Sequence, residues 1–412
     1  MKIPKIAIVS FPGNNCEVES IRAIAANGME PLFFRWNADI SKLSDVDGYF
    51  IPGGFSYEDR GRAGMIAAND PLLQHIKEEA AKGKVVIGNC NGAQILIESG
   101  LIPHADKLEM SLARNVVEDE SVGFLNEWVW IKPMCPKDRC ATSDWTGVMH
   151  VPIAHGEGRF TTKDKDLLET LQKNNQIAFS YCNEQGDVSD KDPITPNGSL
   201  FAMAGVCNPE GNVVALMPHP ERTPLGHAYF ASIKKWIESH PVHDSVDTPK
   251  NNDVSQELPK RSPQNTELFI ASIIVNNEER SVEKVAKSIM PKLSLTQLRY
   301  MQIGQNNPKD ILTTISYFNP HKEIAYIRKG DSFTKWNPDT KQEEACDALL
   351  NNTTVLRKDE PDTGAESLGK GSETGMCYVC NNVNVLDLEN TKLQSIFGNP
   401  HASTLELLSV NE

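Results

Sequence analysis

The sequence predicts an α/β domain followed by a smaller α+β domain. Short apolar runs alternate with helix-like stretches over roughly the first 240 residues. Residues 241–266 are polar and carry Pro249, Pro259 and Pro263. A new alternation begins at Leu268. Runs that are apolar throughout, set between helices, belong to a parallel sheet covered on both faces. In such sheets the ligand lies beyond the carboxyl ends of the strands.

Ile6-Ala7-Ile8-Val9 is the first strand, followed by Pro12-Gly13-Asn14-Asn15 and a helical stretch through Val18, Ile21, Ile24 and Ala25. Leu32-Phe33-Phe34 and Tyr49-Phe50-Ile51 follow, the latter ending at Pro52-Gly53-Gly54. A helix over about Pro71 to Ala81 stops at Gly83. Val85-Val86-Ile87 is the fourth strand, with a helix starting after Cys90. From about Ala113 the pattern changes, and Trp128, Trp130 and Ile131 mark a strand with large side chains. Val151 to Ala154, Ala178 to Tyr181 and Val213 to Leu216 are further strands. Tyr229, Phe230, Ile233, Trp236 and Ile237 form one apolar stripe of a last helix, which Pro241 stops.

Residues 241–266 read as a flexible linker, because so polar a stretch cannot bury a core. Beyond it, residues 267–412 read as the small α+β domain. Its strand candidates are Phe269 to Val275, Leu298 to Ile303 and Ile324 to Ile327. Ser281 is the expected cap of a helix carrying Val282, Val285, Ala286 and Ile289. Lys358 to Gly375 reads as a long loop.

The chain has 412 residues, a length for two or three domains. Its net charge of −14 argues against nucleic acid as a partner, since phosphate binding needs a basic face. The first apolar run is too short to span a membrane. Nine cysteines are an odd number without a regular framework, which points to reduced thiols and a cytoplasmic protein.

Chemistry concentrates at three places. In Gly88-Asn89-Cys90-Asn91-Gly92-Ala93-Gln94 a buried strand runs through a cysteine into a helix. Small residues on both sides permit a sharp turn and let substrate approach, and a helix N-terminus favours an anion. The competing reading is a cysteine that only fills a strand end. In Met217-Pro218-His219-Pro220-Glu221-Arg222 a histidine sits on a stiff segment past a strand end, with a carboxylate two residues on. That is the base and orienter a thiol nucleophile requires, although a lone histidine there is more often structural. Pro52-Gly53-Gly54-Phe55-Ser56 is either a plain turn or a source of backbone N–H groups for an oxyanion.

These pieces, with Phe11-Pro12-Gly13-Asn14-Asn15-Cys16, Pro152-Ile153-Ala154-His155-Gly156-Glu157-Gly158 and Asn197-Gly198-Ser199, stand in one order over about residues 3 to 240. The ordered set resembles class I glutamine amidotransferases, and among them the glutaminase subunits of phosphoribosylformylglycinamidine synthases. The resemblance implies a three-layer, flavodoxin-like domain over residues 1–240. It implies Cys90 as nucleophile, His219 as base and Glu221 as its orienter. Gly54 and Asn91 would supply the oxyanion N–H groups, and Gln94 would help hold L-glutamine. The role of His155 and Glu157 stays open between a structural loop, an interface and a gate.

The resemblance further implies a large synthetase subunit as partner and a small docking subunit. It implies no metal and no cofactor in this chain, ATP and Mg being used by the synthetase. Glu58 and Asn89 depart from the family pattern, which favours glycine and an apolar residue there. Two rival readings are a catalytically idle scaffold and a thiol hydrolase or protease on the same fold. Elsewhere, Cys377 and Cys380 have metal-ligand spacing, with Cys346, His321 and His401 as candidate partners, but read best as strand cysteines. Lys322, Arg328, Lys329 and Lys335, near Tyr326 and Trp336, read as a solvated basic face.

Overall fold

The structure is a computed structural model that describes residues 2–104, 107–118, 120–242, 255–347, 349–350 and 352–409. Contacts divide the chain into two compact units, Met1–Asn251 and Asn252–Glu412.

In the first unit the strands are β1 Lys5–Ser10, β2 Glu30–Arg35, β3 Gly48–Ile51, β4 Val85–Asn89, β5 Ser111–Arg114, β6 Val116–Val117, β7 Glu120–Ser121, β8 Leu125–Pro133, β9 Met149–His155, β10 Glu157–Thr161, β11 Ile177–Cys182, β12 Met203–Cys207 and β13 Val213–Leu216. The helices are α1 Glu17–Ala26, α2 Met65–Ala68, α3 Pro71–Ala81, α4 Asn91–Glu98, α5 Lys165–Lys173 and α6 His227–Ser239. Nine strands form one sheet in the order β2-β1-β3-β4-β13-β12-β11-β8-β9. The first five are mutually parallel. The remaining pairings, from β13–β12 outward, are antiparallel. The parallel reading therefore holds for half of the sheet. The other half alternates in burial: β9 reads buried, half-buried, buried along its length, as an edge strand with one face packed does.

Successive residues of β1 enter opposite cores. Ala7 and Val9 pack with Leu72, Leu73 and Ile76 of α3 and with α4. Ile6 and Ile8 pack with Ile24 of α1 and with Tyr229, Phe230, Ile233 and Trp236 of α6. This two-residue period makes three layers of the unit. Asp70 caps α3 through its carboxylate, with Pro71 as the first helical residue, the arrangement that both residue types favour.

In the second unit an eight-stranded antiparallel sheet runs β18-β17-β16-β14-β15-β20-β19-β21. Its strands are β14 Glu267–Ser272, β15 Ser294–Gln302, β16 Glu323–Lys329, β17 Ser332–Asn337, β18 Gln342–Ala345, β19 Thr353–Asp359, β20 Glu373–Asn381 and β21 Ser403–Ser409. Helices α7 Asn277–Ile289, α8 Pro308–Leu312, α9 Thr363–Leu368 and α10 Thr391–Phe397 complete it.

Four expectations change here. Asn276, not Ser281, caps α7: the helix begins at Asn277, so Oδ1 of Asn276 accepts from Glu278 N and Glu279 N, while Ser281 lies inside the helix and donates to Asn277 O. The expected loop 358–375 contains α9, capped by Asp362, and the start of β20. Arg328 and Trp336 are buried, so the basic cluster is not one solvated face. Of the expected linker, residues 243–254 lie outside the described residues. Residues 255–261 are packed within the second unit: Leu258 is buried, and Arg261 N donates to Leu407 O while Leu407 N donates to Pro259 O. One leucine, one ion-pairing arginine and an open strand edge suffice to order a stretch whose mean composition is polar.

Cys377 and Cys380 lie buried on β20. All nine cysteines are unpaired. Among the described residues no helix is long and apolar enough to cross a membrane.

Candidate active site

Strands β3, β4 and β13 are adjacent and parallel, and they end in register: Ile51 lies beside Gly88, and Asn89 beside Leu216. Their continuations therefore emerge at one edge. After β3 comes Pro52-Gly53-Gly54, after β4 comes Cys90, and after β13 comes Pro218-His219-Pro220-Glu221. Strand β1, paired with β3, adds Phe11 to Cys16 from its own end.

Cys90 sits between β4 and α4 with φ +51°. That left-handed backbone is costly for a side-chain-bearing residue and marks a strained turn. Two glycines make the turn sterically feasible. A Cβ on Gly88 would meet Gly92 O at 2.4 Å, and one on Gly92 would meet Ile51 O at 2.0 Å. Gly53 plays the same part on the facing wall: its missing Cβ would lie 2.6 Å from His219 Cε1, 3.1 Å from Cys16 Sγ and 3.3 Å from Cys90 Cβ. The thiol, the imidazole and a second thiol thus surround one glycine.

His219 is 1% exposed, and its Nδ1 is 2.6 Å from Glu221 Oε1. Its Nε2 is buried with no hydrogen-bond partner among the described residues. The backbone holds the ring: His219 N donates to Pro152 O, and Arg222 N closes the following turn on His219 O. Burial works against a charged ring, but the opposite charges of Cys90 and Glu221, together with Cys16, outweigh it and hold the His219 pKa well above the usual range. Burial likewise works against an ionised Glu221, but His219 and Asn89 hold that carboxyl below its usual range. Asn89, His219 and Glu221 all come from the segments singled out in the sequence.

The CobB/CobQ-like glutamine amidotransferase domain family matches residues 3–242. The chain belongs to this family. It is 43% identical over 234 residues to the phosphoribosylformylglycinamidine synthase subunit PurQ of Methanothrix thermoacetophila, covering 55% of this chain and 87% of that one. It is 43% identical over 219 residues to the PurQ subunit of Chlorobium chlorochromatii, covering 53% of this chain and 87% of that one. Among solved structures, one titled as PurLQS from Thermotoga maritima is 31% identical with a TM-score of 0.46, covering 57% of this chain and all of that chain.

The amidotransferase loops are tied together by side-chain amides. Asn91 Oδ1 accepts from Ser56 N at 3.0 Å, joining the Gly53-Gly54 loop to the start of α4. The two residues expected to receive an oxyanion, Gly54 and Asn91, therefore belong to one hydrogen-bonded assembly. Gln94 is engaged at both ends. Its Oε1 accepts from Asn91 Nδ2 at 2.8 Å, and its Nε2 donates to Glu157 O at 2.6 Å. Those bonds tie the start of α4 to the backbone of Glu157 in the 152–158 segment.

That segment is itself close to the chemistry. The Cys90 thiol points toward Ala154 O at 3.7 Å. His155 is buried, neither of its ring nitrogens has a hydrogen-bond partner among the described residues, and burial and the His219 charge depress its pKa to about 3, so the ring is neutral. Glu157 raises the carboxyl of Asp59, which burial has already pushed up, to about 7. Residues 57–59, which include Glu58, all have positive φ. Glycine is the residue suited to that backbone, and Glu58 adopts it at a cost.

Sequence reading passed over Cys16 as a site residue. Its Sγ lies 4.0 Å from His219 Nδ1 and accepts from Arg222 Nη2 at 3.0 Å. The signal available was its place one strand over, just past the end of β1. Cys16, His219 and Glu221 form the single cluster of three potential metal ligands among the described residues. The donor set is one that zinc accepts, but His219 Nδ1 and Glu221 are already paired with each other.

Proposed function

We propose that the chain hydrolyses L-glutamine as the ammonia-supplying component of a phosphoribosylformylglycinamidine synthase in purine biosynthesis. The observation that carries this reading is the buried His219–Glu221 pair converging, across Gly53, on a cysteine held on a strained turn. The names of the PurQ relatives supply the choice of acceptor reaction.

Cys90 attacks the side-chain amide carbon of glutamine. The oxygen that gains charge is received by backbone N–H groups of Gly54 and Asn91, preorganised by the Ser56–Asn91 bond. His219, protonated in the resting pair, gives its Nε2 proton to the departing nitrogen, and ammonia leaves a thioester on Cys90. The same Nε2 then takes a proton from water, which attacks the thioester and releases glutamate. Glu221 fixes the tautomer and stabilises the imidazolium. None of these steps needs a cofactor.

Ammonia passes to a large synthetase subunit, which uses ATP and Mg to attach it to the acceptor. Residues 267–412 either serve docking, replacing or recruiting a small third protein, or carry a separate task. The protein acts in the cytoplasm, where its nine thiols stay reduced.

The test is ammonia release from glutamine by the chain assembled with its synthetase. Cys90→Ala is expected to abolish release, while synthesis from added free ammonia continues. A Cys90→Ala protein that still hydrolyses glutamine would rule out the thioester route.

A further inference from the structure

Glu221 spends one carboxylate oxygen on His219. The other, Oε2, accepts from Asn89 Nδ2 at 2.9 Å. Asn89 Oδ1 in turn accepts from the Tyr229 hydroxyl at 2.9 Å. Tyr229, Asn89, Glu221 and His219 thus form one unbroken line of side chains. None is more than 7% exposed, and Asn89 and Tyr229 are 0% exposed. The line joins the end of β4, the turn after β13 and helix α6.

Chemistry sets its direction. An ionised carboxylate only accepts, so the Asn89 amide must turn its NH₂ toward Glu221. Its oxygen then faces Tyr229, whose hydroxyl must donate. Burial holds the phenol pKa well above its ordinary range, so that proton stays in place. A reversed amide would set its oxygen against the Glu221 carboxylate oxygen. The arrangement therefore admits one orientation, and it clamps the plane of the Glu221 carboxylate from the side away from His219.

The residue type supports a purpose beyond packing. Val85, Val86 and Ile87 of the same strand are buried and apolar, and an apolar side chain at position 89 would fill the space without the desolvation that an amide incurs. The amide is placed one residue before the nucleophile, and both its polar ends are used. Tyr229 belongs to the apolar stripe of α6, where only its hydroxyl has a polar task.

Building on the proposed glutaminase reading, we infer that Asn89, oriented by Tyr229, is a positioning residue for the reaction: it aims the Glu221 carboxylate at His219 Nδ1 and thereby sets the proton affinity of the nitrogen that serves Cys90. The charged and titratable groups acting around Glu221 and His219 are Cys90 at the turn, Cys16 at the start of α1, Arg222 on the same segment, His155 on β9 and Tyr229 on α6. Of these, Tyr229 alone acts through Asn89.

The experiment measures glutamine hydrolysis against pH for the full chain with its synthetase, for wild type, Asn89→Leu, Tyr229→Phe and the double variant, with Cys90→Ala as control. Asn89→Leu is expected to lower kcat about 10-fold with KM for glutamine nearly unchanged, the range in which supporting partners of reactive groups act. Its acidic limb should move to higher pH, because a carboxylate that loses a donor is more easily protonated. Tyr229→Phe should shift the limb in the same direction by less. The double variant should match Asn89→Leu alone, since Tyr229 works through Asn89.

A folded Asn89→Leu protein with an unmoved acidic limb overturns the inference, as do effects of the two substitutions that simply add. If Asn89→Leu does not fold, Tyr229→Phe decides by itself, because it removes one oxygen and no packing volume. Activity remaining in Cys90→Ala would instead overturn the Cys90 thioester route on which the inference stands, and a wild-type complex that releases no ammonia from glutamine would overturn the glutaminase reading itself.

Discussion

Each unit of the molecule buries an ion pair, and only one of the two stands in the proposed site. In the first unit His219 and Glu221 are 2.6 Å apart, with side chains 2% and 0% exposed. In the second, Arg328 Nε and Glu267 Oε2 are 2.7 Å apart, with side chains 4% and 0% exposed. Burial and distance do not separate them; their surroundings do. Arg328 lies over the rings of Phe269 and Phe333, and Tyr300 donates to the free oxygen of Glu267 at 2.6 Å. The neighbouring thiol, Cys377, is fully buried, and burial and Glu267 push its pKa well above the usual range. Around His219 the backbone is strained and glycines replace side chains. A buried charge pair becomes reactive where the chain leaves room for a third group, and a strut where aromatic rings close over it.

The comparison breaks most sharply at Arg328. Arg328→Met leaves Glu267 buried without its cation, and the second unit should lose about 3–5 kcal/mol of stability. Glutamine hydrolysis should stay at the wild-type rate. Thermal unfolding followed alongside ammonia release checks both halves, and a loss of hydrolysis in a folded variant would mean that the second pair also serves the reaction.

The next effect is at Glu221. Glu221→Gln keeps the shape but removes the charge that supports the imidazolium, at a cost of about 2–4 kcal/mol in transition-state stabilisation. Wild-type kinetics in that variant would show that another carboxylate orients His219. The sign with pH follows from the depressed carboxyl of Glu221. Its contribution to stability is present above the unfolded carboxyl value and is lost as pH falls through the lower folded value. The acid end of a stability–pH curve should therefore be flatter in Glu221→Gln.

The smallest effect on chemistry is expected from removing residues 252–412. The remaining unit should react at an unchanged rate with a glutamine-like alkylator yet bind the synthetase less tightly. Unchanged affinity would leave the second unit without a docking role.

The sequence showed the strands of the parallel half, because Ile6 to Val9, Tyr49 to Ile51 and Val85 to Ile87 are apolar throughout and end in glycine-bearing turns. It pointed to the three candidate segments that the fold brings to one edge for the same reason: each follows the end of such a strand. It did not show that β3, β4 and β13 are neighbours, since that order is decided by pairings as distant in sequence as Val86 with Val213. Cys16 was missed as a consequence, being brought to His219 by the pairing of β1 with β3. Asn89 was visible only as a departure, because its two partners come from the turn after β13 and from α6. In the second unit α9 was hidden among glycines and charges, where an aspartate cap and one buried leucine, Leu368, carry the helix.

The central claim is that Cys90, not merely a thiol in this pocket, is the nucleophile. Cys16 offers the discriminating control, since both cysteines are buried and both flank His219. The direct measurement is covalent labelling by a chloroketone analogue of glutamine, followed by peptide mapping of the modified chain. The account predicts label on Cys90 alone, protection by glutamine, and loss of hydrolysis in step with labelling. Label on Cys16, or full hydrolysis after Cys90 is labelled, would contradict it.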